Sequence, residues 1–137
     1  MDASMLTQSI NQYLMQTISV YDTAGEAFYQ GLLLGLCAIL NGRYRVLSNR
    51  ESGLGRFDIC LIPLLSGLPG FVFELKATKN AEEKLDALAA KALLQIDMKQ
   101  YDAALCSSGI TEIIKIGIAF RGKQAVSRSS MAAASGK

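Results

Sequence analysis

The stretch Phe57-Asp-Ile-Cys-Leu-Ile-Pro63, a short link through Ser66-Gly67, and then Gly70-Phe-Val-Phe-Glu-Leu-Lys-Ala77 decides the fold. Both runs are rich in β-branched, aromatic and aliphatic residues, and Ser66-Gly67 is a turn signal between them. Neighbouring strands joined by so short a link pair antiparallel. With the turn centred on Ser66, Asp58 faces Glu74. Side chains alternate along a strand, so Glu74 and Lys76 share a face. Three charged groups therefore converge on one side of strands that are otherwise apolar, a pattern typical of burial on both faces. Two facing carboxylates in such a setting repel each other and lose hydration. A divalent cation held by both compensates directly, and Lys76 adds a positive charge nearby. Hard oxygen donors suit Mg²⁺ or Mn²⁺. The plainer alternative pairs Asp58 with Arg56 and leaves Glu74 and Lys76 as a solvated pair at a strand end. An isolated E-x-K motif supports no more than that; the combination with Asp58 is more specific.

Upstream, Tyr44 to Leu47 reads as a short strand and Ser48-Asn-Arg-Glu-Ser-Gly-Leu-Gly-Arg56 as a polar loop. The apolar run to Leu40 predicts a buried helix, and Thr23-Ala-Gly-Glu26 before it has the spacing of a capping box. Met5, Leu6, Ile10, Tyr13, Leu14 and Ile18 recur at helical intervals. Residues 1–21 are accordingly set apart as an N-terminal helix with the character of a linker from an upstream domain. Downstream, a long helix is expected from about Asn80 to Cys106, with Asn80 as its cap and Gly109 as its stop. Glu112 to Phe120 predicts an isoleucine-rich strand, Arg121-Gly-Lys123 a turn, and Gln124 to Ser127 a last edge strand. One domain is thus expected over residues 22–127. The serine- and alanine-rich stretch 128–137 is expected to be a disordered tail. The order helix, strands, helix, strands describes an α/β domain with a central mixed sheet flanked by helices.

Composition narrows the chemistry. The 137 residues are half hydrophobic and 19% charged, enough for one packed core and too apolar for a disordered chain. There is no histidine, which excludes histidine triads, histidine bases and His-containing zinc sites. Cys37, Cys60 and Cys106 are odd in number and widely spaced, so free thiols in a reducing compartment, the cytoplasm, are favoured over a disulfide framework. No apolar run is long enough to span a bilayer. A net charge of +2 is too mild to attract nucleic acid through the global field, so any polyanion-binding surface has to be local.

Asp58 followed by Glu74-Leu-Lys76 after a hairpin resembles the PD-(D/E)XK nuclease signature. Phe28-Tyr-Gln-Gly-Leu-Leu-Leu-Gly-Leu36, the stretch from Ser48 to Asp58, and Lys115-Ile-Gly-Ile-Ala-Phe120 narrow the resemblance to nuclease-like domains found after AAA-type ATPase-like domains in bacterial proteins. It covers about residues 22–123. Gln30 departs from it, standing where the family pattern has histidine. The resemblance implies a restriction-endonuclease-like core and metal-assisted phosphodiester hydrolysis. It implies Mg²⁺ or Mn²⁺ on Asp58, Glu74 and the main-chain carbonyl of Leu75, with Lys76 orienting a water or stabilising developing charge. Glu26 is either a helical glutamate near the metal or simply half of its capping box. Gln95 on the long helix is a further candidate beside the site, against a reading as solvated helix face. Arg50 and Arg56 either contact phosphates or pair with Glu51 and Asp58. The partners implied are nucleic acid, with DNA ahead of RNA, and an upstream AAA-type ATPase domain; a homodimer is left open and a membrane is not expected. The rival reading is a non-catalytic nuclease-like module serving that ATPase.

Overall fold

Five strands form one mixed sheet in which each strand lies beside the next in the chain. The computed structural model describes residues 8, 10, 12, 26–38, 42–52, 55–99, 110 and 112–133. Within these, helix α1 (Glu26–Cys37) precedes β1 (Tyr44–Ser52), β2 (Gly55–Pro63) and β3 (Gly70–Ala77). Helix α2 (Leu85–Lys99), β4 (Glu112–Arg121) and β5 (Gln124–Ala133) follow. The short links make β1–β2, β2–β3 and β4–β5 antiparallel, whereas β3 and β4 run parallel. A parallel pair needs a long crossover, and the segment containing α2 supplies it. No described helix is long and apolar enough to cross a membrane.

The two faces of the sheet are covered separately. Tyr29, Leu33 and Cys37 of α1 pack with Phe71, Phe73 and Leu75 of β3 and with Ile116, Ile118 and Phe120 of β4. Ile10, from a helical segment nearer the N-terminus, joins the same core. On the other face Ile96 of α2 packs with Cys60, Val72 and Ile113. Burial on both sides is why β3 and β4 read as nearly continuous apolar runs. Tyr29 stacks on Phe120 with ring centroids 4.3 Å apart, and its hydroxyl donates to the Gly122 carbonyl at 2.9 Å.

Helix α2 lies close against the sheet at Gly117, where an added Cβ would collide with the backbone of Ala89 and Leu93. The connection into α2 is tied down from both ends. Thr78 N donates to Phe120 O at 3.0 Å, prolonging the parallel ladder. Arg121 donates from Nη1 to the carbonyls of Asn80 (3.1 Å) and Glu83 (2.6 Å), so it is engaged and not merely solvated as its place in a turn suggests.

Three sequence expectations change. Of the polar loop expected over Ser48 to Arg56, residues 48–52 and 55–56 instead form a β-ribbon, with Arg50↔Phe57 and Glu51↔Arg56 in register. A ladder is made by the backbone, so polar residues extend it without any alternation to reveal it. The stretch 128–133, read as the start of a disordered tail, pairs with β4 out to Glu112↔Ala133. Its serines and alanines conceal a strand because the partner β4 supplies the packing. The long helix begins at Leu85 and not at Asn80. Asn80 caps a preceding turn, its Oδ1 accepting from Glu82 N at 2.9 Å. The expected cap Thr23 and the segment from 100 to 109, with Tyr101 and Cys106, lie outside the described residues.

Candidate active site

The β2–β3 register is the one that a turn centred on Ser66 requires: Ile59↔Phe73, Cys60↔Val72 and Leu61↔Phe71. Phe73 and Ile59 belong to the α1 core and Val72 and Cys60 to the α2 core, which fixes the faces. By alternation Glu74 and Lys76 stand on the α2 face. Glu74 is 6% exposed, beside Gly117 of β4, where α2 presses on the sheet. Lys76, beside Ala119, is half-buried and closer to solvent.

Asp58 lies on β2 between the β1–β2 pairs Ser48↔Ile59 and Arg50↔Phe57, whose common register leaves no bulge at that position. The β2–β3 register, continued one residue past Ile59↔Phe73, sets Asp58 opposite Glu74. The Asp58 side chain itself is outside the described residues. Leu75 turns its side chain into the α1 core, leaving only its main chain to any role at the site.

Gln95 lies on helix α2, which covers this face of the sheet. Asp86 is held by Arg128 of β5 in a two-pronged pair at 2.8 and 2.7 Å, so its flank of the helix faces β5. Gln95, nine residues on, is turned half a revolution from Asp86 and therefore faces away from β5, toward the β3 side. It is half-buried there, and the exposed Lys91 shares its flank, with the exposed Lys84 just before the helix. Glu26 opens α1, which covers the opposite face of the sheet, so the structure does not set Glu26 and Gln95 on a common face. The side chains of Glu26, Gln30, Arg50 and Arg56 lie outside the described residues. The backbone of Arg50 and Arg56 belongs to the β1–β2 ribbon and not to a glycine loop.

Burial pushes the Cys60 thiol up to about 12 and the Cys37 thiol up to about 11, so both stay protonated and chemically quiet. Among the described residues, what remains for chemistry is oxygen donors and ammonium groups. A carboxylate at Glu74, a carboxylate at Asp58 and a main-chain carbonyl at Leu75 would together offer hard oxygen donors, which suit Mg²⁺ or Mn²⁺ better than zinc. Among the described residues alone, no group of three or more His, Cys, Asp or Glu side chains gathers. The set therefore depends on Asp58. One buried charge escaped the sequence reading: Lys115 of β4, 9% exposed. Its only signal is a lysine set inside the run Ile113-Ile-Lys-Ile116, where alternation reads it as a solvent-facing position.

A five-stranded mixed sheet between helices, with its acid-x-lysine strand at the centre, is a restriction-endonuclease-like α/β core. The family model of the PD-(D/E)XK nuclease superfamily matches residues 24–129, and the chain belongs to that superfamily. No curated protein and no solved structure matches it.

Proposed function

We propose that the protein is a metal-dependent nuclease that hydrolyses phosphodiester bonds, with Asp58, Glu74 and the Leu75 carbonyl as cation ligands. The observation that carries this reading is a glutamate kept 6% exposed where α2 presses on the sheet; the register that pairs Ile59 with Phe73, continued by one residue, supports Asp58 as its partner. A bound divalent ion supplies charge neutralisation at the phosphate and a more acidic water. Lys76, two residues on and nearer solvent, orients that water or meets the charge that develops on the phosphate. Gln95 reaches the site from α2 and positions substrate or water. Glu26 and the arginines Arg50 and Arg56 are assigned no step; the arginines are proposed to meet phosphates from the β1–β2 ribbon.

The lysines at and just before α2 support a nucleic-acid substrate; DNA ahead of RNA is proposed on the resemblance alone. Lys91 stands on the Gln95 flank and Lys84 just before the helix, while Asp86 stands on the other flank. This gives a local basic track beside the site that the net charge of +2 does not reveal. An AAA-type ATPase domain is proposed as partner on the resemblance alone. Incubating single-stranded and duplex DNA and RNA with the protein in Mg²⁺ or Mn²⁺, beside EDTA, tests the reading. Metal-dependent cleavage is expected, with loss of more than about a hundredfold in Glu74→Ala. Absence of cleavage on every substrate would move the assignment to a non-catalytic module.

A further inference from the structure

Among the described residues only two charged side chains are buried, Glu74 and Lys115. They are neighbours. β3 and β4 pair in parallel with Val72↔Lys115 and Glu74↔Gly117, so Lys115 sits one strand over and two residues back from Glu74. Ile113, two residues before Lys115, packs in the α2 core, and Gly117, two residues after, touches the α2 backbone. By alternation Lys115 therefore shares the α2 face with Glu74. Diagonal neighbours on adjacent strands have Cα atoms roughly 8 Å apart. A lysine's four-carbon stem and a glutamate's shorter one cover that distance between them. The position directly beside Glu74 holds a glycine, and helix backbone fills the space above it.

A carboxylate taken out of water beneath a helix needs a counter-charge. Arg128 shares the row of Glu74 through Gly117↔Arg128, but its guanidinium is turned outward onto Asp86 and its side chain is 52% exposed. Lys76 is half-buried at the outer end of its strand. Lys115 is the cation that the sheet carries in beneath α2. We propose that Lys115 is the counter-charge of Glu74 in the metal-free protein and yields that carboxylate when a divalent cation binds. It is a positioning residue that acts through Glu74, and the exchange half of the proposal rests on the metal site proposed above. The two lysines then divide the work. Lys76 on the open side serves water and phosphate, and Lys115 on the closed side holds the ligand ready.

The test is a double-mutant cycle in stability, read by thermal unfolding in EDTA, joined to Mn²⁺ calorimetry. Lys115→Met in the otherwise native chain should lower Tm by roughly 10 °C. In a Glu74→Gln background the same change should cost less than half as much. If Lys115→Met alone does not fold, recovery of folding in the double variant is the expected result, and its failure to recover overturns the pairing. Additive losses also overturn it, whatever the metal does. Lys115→Met should bind Mn²⁺ several-fold more tightly than the native chain, because the competing ammonium is gone. Affinity that is unchanged or weaker overturns the exchange. A native chain that binds no Mn²⁺ but shows the coupling removes the metal reading and the exchange with it, and leaves the pairing standing.

Discussion

Three independent local rules meet on Glu74. The Ser66-Gly67 turn sets the register, strand alternation sets the face, and the apolar neighbours set the burial. Lys115 was not legible, because alternation alone assigns a lysine in an isoleucine run to solvent; it takes α2, lying against Gly117, to close that face. Asp58 is expected opposite Glu74 from the register alone, and its side chain lies outside the described residues. The buried thiols make a separate prediction. At pH 8 a maleimide should label neither Cys37 nor Cys60 in the folded protein, as read by peptide mass, and both should react in urea; labelling of Cys60 in the folded state would contradict its burial. Their titration has a definite sign. The folded thiols are raised to about 11 and about 12 from an ordinary 9.0, so the unfolded chain loses these protons first. Their contribution is full below pH 9 and is lost as pH rises toward 11–12. Tyr44, raised by burial, acts in the same direction. The urea midpoint, measured in reducing buffer, should therefore fall between pH 8 and pH 10.5, and Cys60→Val should fall less.

Helix α2 and strand β4 meet at Gly117, and this contact is the tightest constraint on the site. Gly117→Ala places a Cβ against Ala89 and Leu93 backbone, which can relieve the clash only by lifting the helix. The expected loss is about 1–3 kcal/mol, seen as a Tm drop of roughly 4–10 °C. Gly35 in α1 offers the contrast: it is an exposed helical glycine with nothing near its would-be Cβ. Gly35→Ala should stabilise by about 0.5–1 kcal/mol. If both changes had the same sign, the close approach at Gly117 would be refuted. The elements that were misread share a physical cause. The β1–β2 ribbon and the second half of β5 are held by backbone pairing with a neighbour, so their polar side chains carry no period. The start of α2 moved because Thr78, Asn80 and Glu83 bond among themselves and Arg121 locks that turn in a non-helical form. Sequence spacing sees the cap residue, and misses the partner that arrives from β4.

Viewed as one body, the molecule sets a buried acidic site beneath α2 and a basic flank beside it. The α/β class with its mixed sheet was readable from the order of elements, and the restriction-endonuclease-like core only from the resemblance. The proposed basic track was not readable, since it depends on which side of α2 faces β3, and that follows from the distant pair Asp86–Arg128. If Lys84 and Lys91 line the substrate path, replacing both by alanine should weaken DNA binding similarly for all sequences and reduce the slope of log K against log salt by about one per lysine. Binding would be followed by fluorescence anisotropy in Ca²⁺, and Lys123→Ala should leave the slope alone; equal effects at all three positions would contradict the track. The central claim is that the Asp58–Glu74 row is a divalent-cation site, and isothermal titration of Mn²⁺ into the native chain and into Glu74→Ala tests it most directly. One ion per native chain and none in the variant is the predicted result, whereas equal binding by both, or binding by neither, contradicts the account.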